Sequence, residues 1–207
     1  MKRRYFRTIQ IDKKILRDFL SKHRELSSFV HLGEPFYTRV SKKPYPGLIH
    51  TILGEGENSN ELIAKWNQLN DFAKKIKPIP VNNLSPDVLI AIAGKEKAKL
   101  IQQISADVIR ETLDLDALVK ESEEQIIYTL QRYTNLSMNT IKTFALFSCF
   151  KQNILCSEDP DFIKGLKIFL NKENITQEDI NKIKIEYEGQ LTLFSLCMWK
   201  IKNERSK

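Results

Sequence analysis

Side chains able to do chemistry are sparse in this chain, and their spacing excludes the commoner arrangements. His23, His31 and His50 lack the spacing of a metal-binding helix, and no phosphate loop or dinucleotide fingerprint is present. The three cysteines, Cys149, Cys156 and Cys197, are an odd number without paired metal spacing. Cys149 and Cys156 could open an iron–sulfur run, but no further pair of cysteines follows at short spacing, so they read as reduced structural thiols. The acidic pairs Glu123-Glu124 and Glu178-Asp179 fall at helix starts, where carboxylates complement the helix dipole. What remains is a cluster of three carboxylates around Pro160: Glu158, Asp159 and Asp161. Standing directly before a proline, Asp159 is placed to cap a helix.

The elements that must position these residues are almost all helical. Leu100, Ile101, Ile104, Val108 and Ile109 recur at one-turn spacing between Lys97, Lys99, Asp107 and Arg110, which describes an amphipathic helix with one buried stripe. Similar stripes predict helices over about 12–30, 58–77, 121–133, 138–150, 160–170 and 189–202. Ser85 before Pro86 is a second cap of the Asp159 type. Only Arg4 to Ile11 alternates well enough to predict a strand, short and peripheral. Breaks cluster near 33–47 and 78–86, where Gly and Pro accumulate.

The chain has 207 residues, 42% of them apolar and 29% charged, with 7 Gly and 7 Pro. That is enough to bury a core without disulfides or metals, and it excludes a disordered or collagen-like chain. Arg3, Arg4 and Arg7 are followed by charged Asp12, Lys13 and Lys14 where a signal peptide would carry its apolar region, so no export is expected. The longest apolar stretches, Thr143 to Phe150 and Leu191 to Trp199, fall short of the roughly 20 residues of a membrane span. The net charge of +7 favours an anionic partner. It is uneven: +8 over residues 1–50, −4 over 51–199 and +3 over 200–207. The basic ends are either solvated tails or a binding face.

One long stretch carries a family likeness. The segment Pro80 to Asn135 resembles the middle of the bacterial DNA-3-methyladenine glycosylase II family, within the helix-hairpin-helix DNA glycosylases. Leu89 to Ala93, Lys95 to Lys99, Leu113 to Leu118 and Glu123 to Leu130 match in order its proline-led helix, its "glsrrKa" turn, its "dLdaL" element and the helix entering the hairpin. LCSEDPDFIKGL resembles "fPaeDlalrrgL", which sets Asp159 on the catalytic aspartate and Gly165-Leu166 on "gL". YEGQLTLFSLCMW resembles "WrPyRslAalhLW", with Trp199 on the last tryptophan, and Ile52-Leu53-Gly54 resembles the "iLgQq" helix. The resemblance covers about residues 44–202, and 1–43 is a basic N-terminal segment.

The resemblance implies an all-α, two-lobed glycosylase fold with one short N-terminal strand, formed by 1–207 as a single unit. It implies an enzyme that hydrolyses the N-glycosidic bond of alkylated purines such as 3-methyladenine in double-stranded DNA, as a monomer without metal or cofactor. The site is then cytoplasmic and nucleoid-associated in a bacterium, or nuclear in a eukaryote, with no membrane. Asp159 would stabilise the oxocarbenium-like transition state and orient water. An extruded base needs a gripping pocket. Trp199 is its candidate wall, with Tyr37, Tyr45 and Trp66 as further candidates, and electron-rich rings suit a cationic purine.

Departures from the pattern bear on DNA contact. The family's "GIGpwTA" hairpin aligns with Asn135, Leu136, Ser137, Met138, Asn139, Thr140 and Ile141, so both glycines are replaced. Asn135, Leu136, Ser137, Asn139 and Thr140 are the expected hairpin contacts to DNA, joined by Arg39, Lys42 and Lys43 from the basic segment. Lyase-competent relatives carry lysine at the position of Asn139, and without that amine no Schiff base forms. Glu55-Gly56 replaces the step that wedges into the duplex. A family member that binds damaged or distorted DNA without excising a base is the alternative, and an all-α protein-interaction module a third.

Overall fold

The computed structural model describes residues 5–205. Arg3, Arg4 and the rest of 1–4, together with 206–207, lie outside the described residues, and so does the first residue of the expected strand. The chain divides into two compact units, one formed by its start to Arg7 with Val40–Phe150, the other by Thr8–Arg39 with the segment from Lys151 to its end.

In the first unit, helices α2 (Pro44–Gly54), α3 (Ser59–Ala73), α4 (Pro78–Asn82), α5 (Pro86–Ala93), α6 (Lys95–Ile109), α7 (Leu115–Leu118), α8 (Glu123–Gln131) and α9 (Met138–Phe147) follow in order. Prolines at the first helical position start α2, α4 and α5, because proline has no amide to leave unpaired there. Helix α2 carries no charged residue and is mostly buried, since it packs against α3, α6 and α9 and has little solvent face to furnish with charge. Gly47 permits the tightest of these contacts: a Cβ there would stand 2.1 Å from Ser148 Oγ. Trp66, Leu69, Ile101, Ile104, Ile126 and Phe144 complete this core.

The second unit holds α1 (Lys13–Lys22), a 3-10 turn (Arg24–Ser28), α10 (Pro160–Leu170), α11 (Gln177–Glu186) and α12 (Leu191–Arg205). Phe19, Leu26, Phe162, Leu166, Tyr187 and Phe194 fill its interior. Helices α10 and α12 pack most closely, and Gly165 is the reason: a Cβ at 165 would meet the Met198 carbonyl oxygen at 2.0 Å. Close backbone approach leaves no room for a side chain.

Two strands, β1 (Phe6–Gln10) and β2 (Tyr37–Ser41), pair through bonds such as Ile11 N–H to Phe36 O and Lys42 N–H to Tyr5 O, both 2.8 Å, an antiparallel pattern. The sequence reading expects only the first strand. Five residues set between glycine and proline carry little signal of their own, and a strand exists only by virtue of its partner. The long stripe over 12–30 also divides, into α1 and the 3-10 turn, at His23 with φ −120° and ψ 68°. Within the region expected as a break, α4 forms. No helix among the described residues is long and apolar enough to cross a membrane.

Candidate active site

Asp159 occupies the N-cap of α10 with extended backbone (φ −82°, ψ 125°), and Pro160 follows as the first helical residue. Its Oδ1 accepts the Phe162 amide at 2.8 Å, one of the donors every helix start leaves unpaired. The same oxygen accepts the indole N–H of Trp199 from α12, also at 2.8 Å. The Gly165 contact holds the two helices at the separation this bond needs. Both donors bond Oδ1, and Oδ2 takes neither of them. Trp199 itself is half-buried, so its ring is open in part.

The rival carboxylates differ in their engagements. Asp161 receives Lys164 at 3.1 Å and Lys202 at 3.0 Å, on different oxygens. Burial works against its charge, but the two ammonium groups outweigh that and hold the carboxyl below its ordinary value. Glu158 is exposed. Nearby on α12, Lys200 pairs with Glu34 at 3.0 Å and with Glu204, and lies over the Phe36 ring.

The other aromatic candidates differ in exposure. Tyr37 is exposed on β2. Tyr45 and Trp66 are core residues of the first unit. Tyr45 is buried with its hydroxyl 2.7 Å from Ser105 Oγ, and burial pushes that phenol up. Trp66 is 1% exposed, packed edge-on against Tyr5 and Phe6 and against His50, which leaves no face for a base.

The hairpin joins α8 to α9. Among the described residues none from 132 to 137 has a positive φ, so the turn closes without the left-handed backbone that glycine would serve. Ser137 caps α9 by accepting the Thr140 amide at 3.1 Å, and Asn135 donates its side-chain amide to Glu96 at 3.1 Å. Leu136 and Thr140 are buried and serve packing. Asn139 is half-buried, and its Oδ1 has neither solvent nor a hydrogen-bond partner among the described residues. The turn is fastened from behind: Arg132 donates to Thr112 O at 3.1 Å and to the Tyr133 hydroxyl at 3.0 Å, and that hydroxyl donates to Asp107 at 2.7 Å. Burial and the Asp107 carboxylate push the Tyr133 phenol up to about 12.

Lys97, which the sequence reading takes only as a polar flank of α6, has a structural role. Its ammonium donates to the carbonyls of Leu53 and Glu55 and to Glu57, so it closes the C-terminus of α2 just before Gly56 (φ 72°). A basic residue one turn into a helix carries no mark of such a reach. Arg39 belongs to the second unit, whereas Lys42 and Lys43 belong to the first. All three cysteines are buried and none forms a disulfide among the described residues, and burial pushes Cys197 up to about 12. His23, Glu25 and Glu186 bring three cation-ligating atoms within 4.8 Å of one another, with Tyr187 already donating to Glu25 at 2.6 Å.

The chain has the helical fold of solved helix-hairpin-helix DNA glycosylases. Solved structures of that fold superpose along most of the chain. The DNA-3-methyladenine glycosidase of Bacillus halodurans does so with a TM-score of 0.78 at 17% identity, over 97% of this chain and 94% of that one. The 3-methyladenine DNA glycosylase of Schizosaccharomyces pombe, in complex with abasic DNA, gives 0.75 at 15%, over 86% and 90%. The 8-oxoguanine glycosylase/lyase of Clostridium acetobutylicum, in complex with double-stranded DNA, gives 0.76 at 12%, over 95% and 72%. No family model and no curated protein matches the sequence.

Proposed function

We propose that this protein is a base-excision DNA glycosylase that hydrolyses the N-glycosidic bond of alkylated purines, without lyase activity. The observation that carries the reading is Asp159 at the start of α10, with Oδ1 taken by the Phe162 and Trp199 N–H groups and Oδ2 by neither. Departure of the base builds positive charge on the deoxyribose, and an ionised carboxylate held beside the sugar stabilises it and orients the attacking water. A cationic alkylated purine leaves as a neutral base, so the leaving group needs no protonation and one carboxylate suffices. The Trp199 ring would grip the extruded base, and a cationic base gains from its face.

Anchoring on double-stranded DNA would fall to the start of α9. The Met138 and Asn139 amides are the unbonded donors of that helix, and a helix N-terminus with open amides takes a phosphate. Asn139 offers an amide where a lyase needs an amine, which favours simple hydrolysis. A second reading, binding of distorted DNA without excision, is favoured by the absence of a bulky residue at Glu55-Gly56 to fill the vacated stack.

The deciding experiment measures release of 3-methyladenine from methylated duplex DNA by the wild-type chain and by Asp159→Asn. Release by the wild type, abolished in the variant, is the expected result. Equal release by both removes Asp159 from its role, and duplex binding with no release of any alkylated base selects the second reading. Borohydride in the presence of abasic DNA should trap no covalent adduct.

A further inference from the structure

The first unit contains a cavity of about 840 Å3 whose lining includes neither Asp159 nor Trp199. That volume falls in the range of small-molecule sites, roughly 300–1,000 Å3. Its lining carries both charges: Lys43, ahead of α2, and Lys75 and Lys77, between α3 and α4, together with Glu111 and Asp114 from the α6–α7 loop and Asp116 from α7. Asp114 is spent on capping α7 through the Ala117 amide. The ammonium groups of Lys43, Lys75 and Lys77 and the carboxylates of Glu111 and Asp116 form no ion pair among the described residues, with each other or elsewhere. Exposed opposite charges that share one space without meeting leave that space to a ligand able to satisfy both.

Between the charged groups the cavity is apolar and braced. Tyr45, Ile76 and Leu115 are buried there. The Tyr45 hydroxyl is tied to Ser105, and the Tyr5 hydroxyl accepts the Ile76 amide at 2.8 Å, so this surface exists before any ligand arrives. Both charged loops pass through a non-glycine residue in a left-handed conformation, Lys74 (φ 60°) and Glu111 (φ 61°). Such backbone is retained where the surrounding structure imposes it, and it concentrates at ligand sites.

We propose that this cavity is a second binding site, for a free nucleotide. The phosphate of a nucleoside monophosphate meets Lys43, Lys75 and Lys77. Its flat base lies on the half-buried apolar side chains of Pro44, Pro78 and Val108, in front of buried Tyr45 and Ile76, and its sugar hydroxyls or exocyclic amine donate to Glu111 and Asp116. Inorganic phosphate would leave the apolar surface unused. A DNA backbone would bring its repeating phosphates against the acidic groups.

The test is calorimetric titration of the full-length chain with each of the four common ribonucleoside 5′-monophosphates, with the matching nucleosides and with inorganic phosphate. At least one monophosphate should bind with a Kd below about 1 mM, and its nucleoside and phosphate alone at least about tenfold more weakly. Lys75→Glu combined with Lys77→Glu should weaken that binding about tenfold or more, Asp116→Asn severalfold, and Asp159→Asn not at all. All these positions are exposed or half-buried, and circular dichroism of each variant verifies folding. Lack of binding by all four monophosphates overturns the proposal, as does binding indifferent to the lysine pair. Displacement of the nucleotide by duplex DNA also overturns it and gives the lysines to DNA. Because Asp159→Asn is a separate arm, a protein that excises no base can still pass this test, and an active glycosylase can fail it.

Discussion

At the level of single residues, the arrangement turns on one carboxylate oxygen. Asp159 Oδ1 takes two N–H donors, and the Trp199 indole is the one that does not belong to its own helix. Trp199→Phe keeps an aromatic ring but removes the indole N–H together with part of the ring. A hydrogen bond to a charged group contributes about 1.5–3 kcal/mol, so excision under single-turnover conditions should fall roughly ten- to hundredfold while the thermal midpoint moves little. A rate equal to that of the wild type would show that the indole N–H does not position the carboxylate. The aspartate and the tryptophan were legible in the sequence because each lies in an ordered motif. Their bond was not, since 40 residues separate them. Nor were the lysine clamps, Lys202 on Asp161 and Lys97 on the end of α2: long flexible side chains find partners that only the packed structure defines.

At the level of elements, the site depends on how closely two helices pass. An alanine at 165 would drive its methyl into the Met198 carbonyl, 2.0 Å from the ideal Cβ, and a backbone atom cannot swing aside as a side chain can. Gly165→Ala should cost at least the roughly 1–3 kcal/mol of ordinary overpacking, read by denaturant unfolding, and should depress excision along with stability because the capped end of α10 moves away from Trp199. Stability unchanged within about 0.5 kcal/mol would contradict that account. Helix α11 supplies a pH dependence. The Lys172 ammonium and then the Thr176 backbone and hydroxyl donors hold the Asp179 carboxyl down at about 2, below its ordinary 3.8. A carboxyl lower in the folded chain than in the unfolded one contributes stability above pH 3.8, and this contribution disappears as the pH falls toward about 2. Asp179→Asn should flatten unfolding stability against pH in that window. An unaltered slope would place the acid sensitivity elsewhere. Helices with a full apolar stripe or a proline-led cap, α6 and α10 among them, could be read directly from spacing. Strand β2 and helix α4 could not, because each is five residues long and owes its existence to neighbours.

At the level of the whole molecule, the structure redistributes the basic charge that the sequence places at the ends. Arg39 belongs to the unit that carries Asp159, whereas Lys42 and Lys43 join Lys75 and Lys77 around a cavity of the other unit. A sum over residues 1–50 treats these as one patch, since chain order does not reveal that the polypeptide changes unit between Arg39 and Val40. The redistribution separates two consequences for DNA affinity. Each phosphate neutralised by a cation contributes about 0.9 to the slope of log K against log salt. Arg39→Gln together with removal of residues 1–4 should therefore lower that slope for duplex binding, by about 0.9 for each phosphate no longer neutralised, whereas Lys43→Gln with Lys75→Gln should leave it within error. The first change removes four basic side chains and the second two, all of the same sign, so a general weakening of attraction would lower both slopes, the second about half as much as the first. Measuring binding between low and moderate salt for both variants distinguishes the cases. A drop in slope with the cavity lysines and none with Arg39 and the N-terminus would reverse the assignment, turning the cavity rim into the DNA contact and the basic ends into solvated tails.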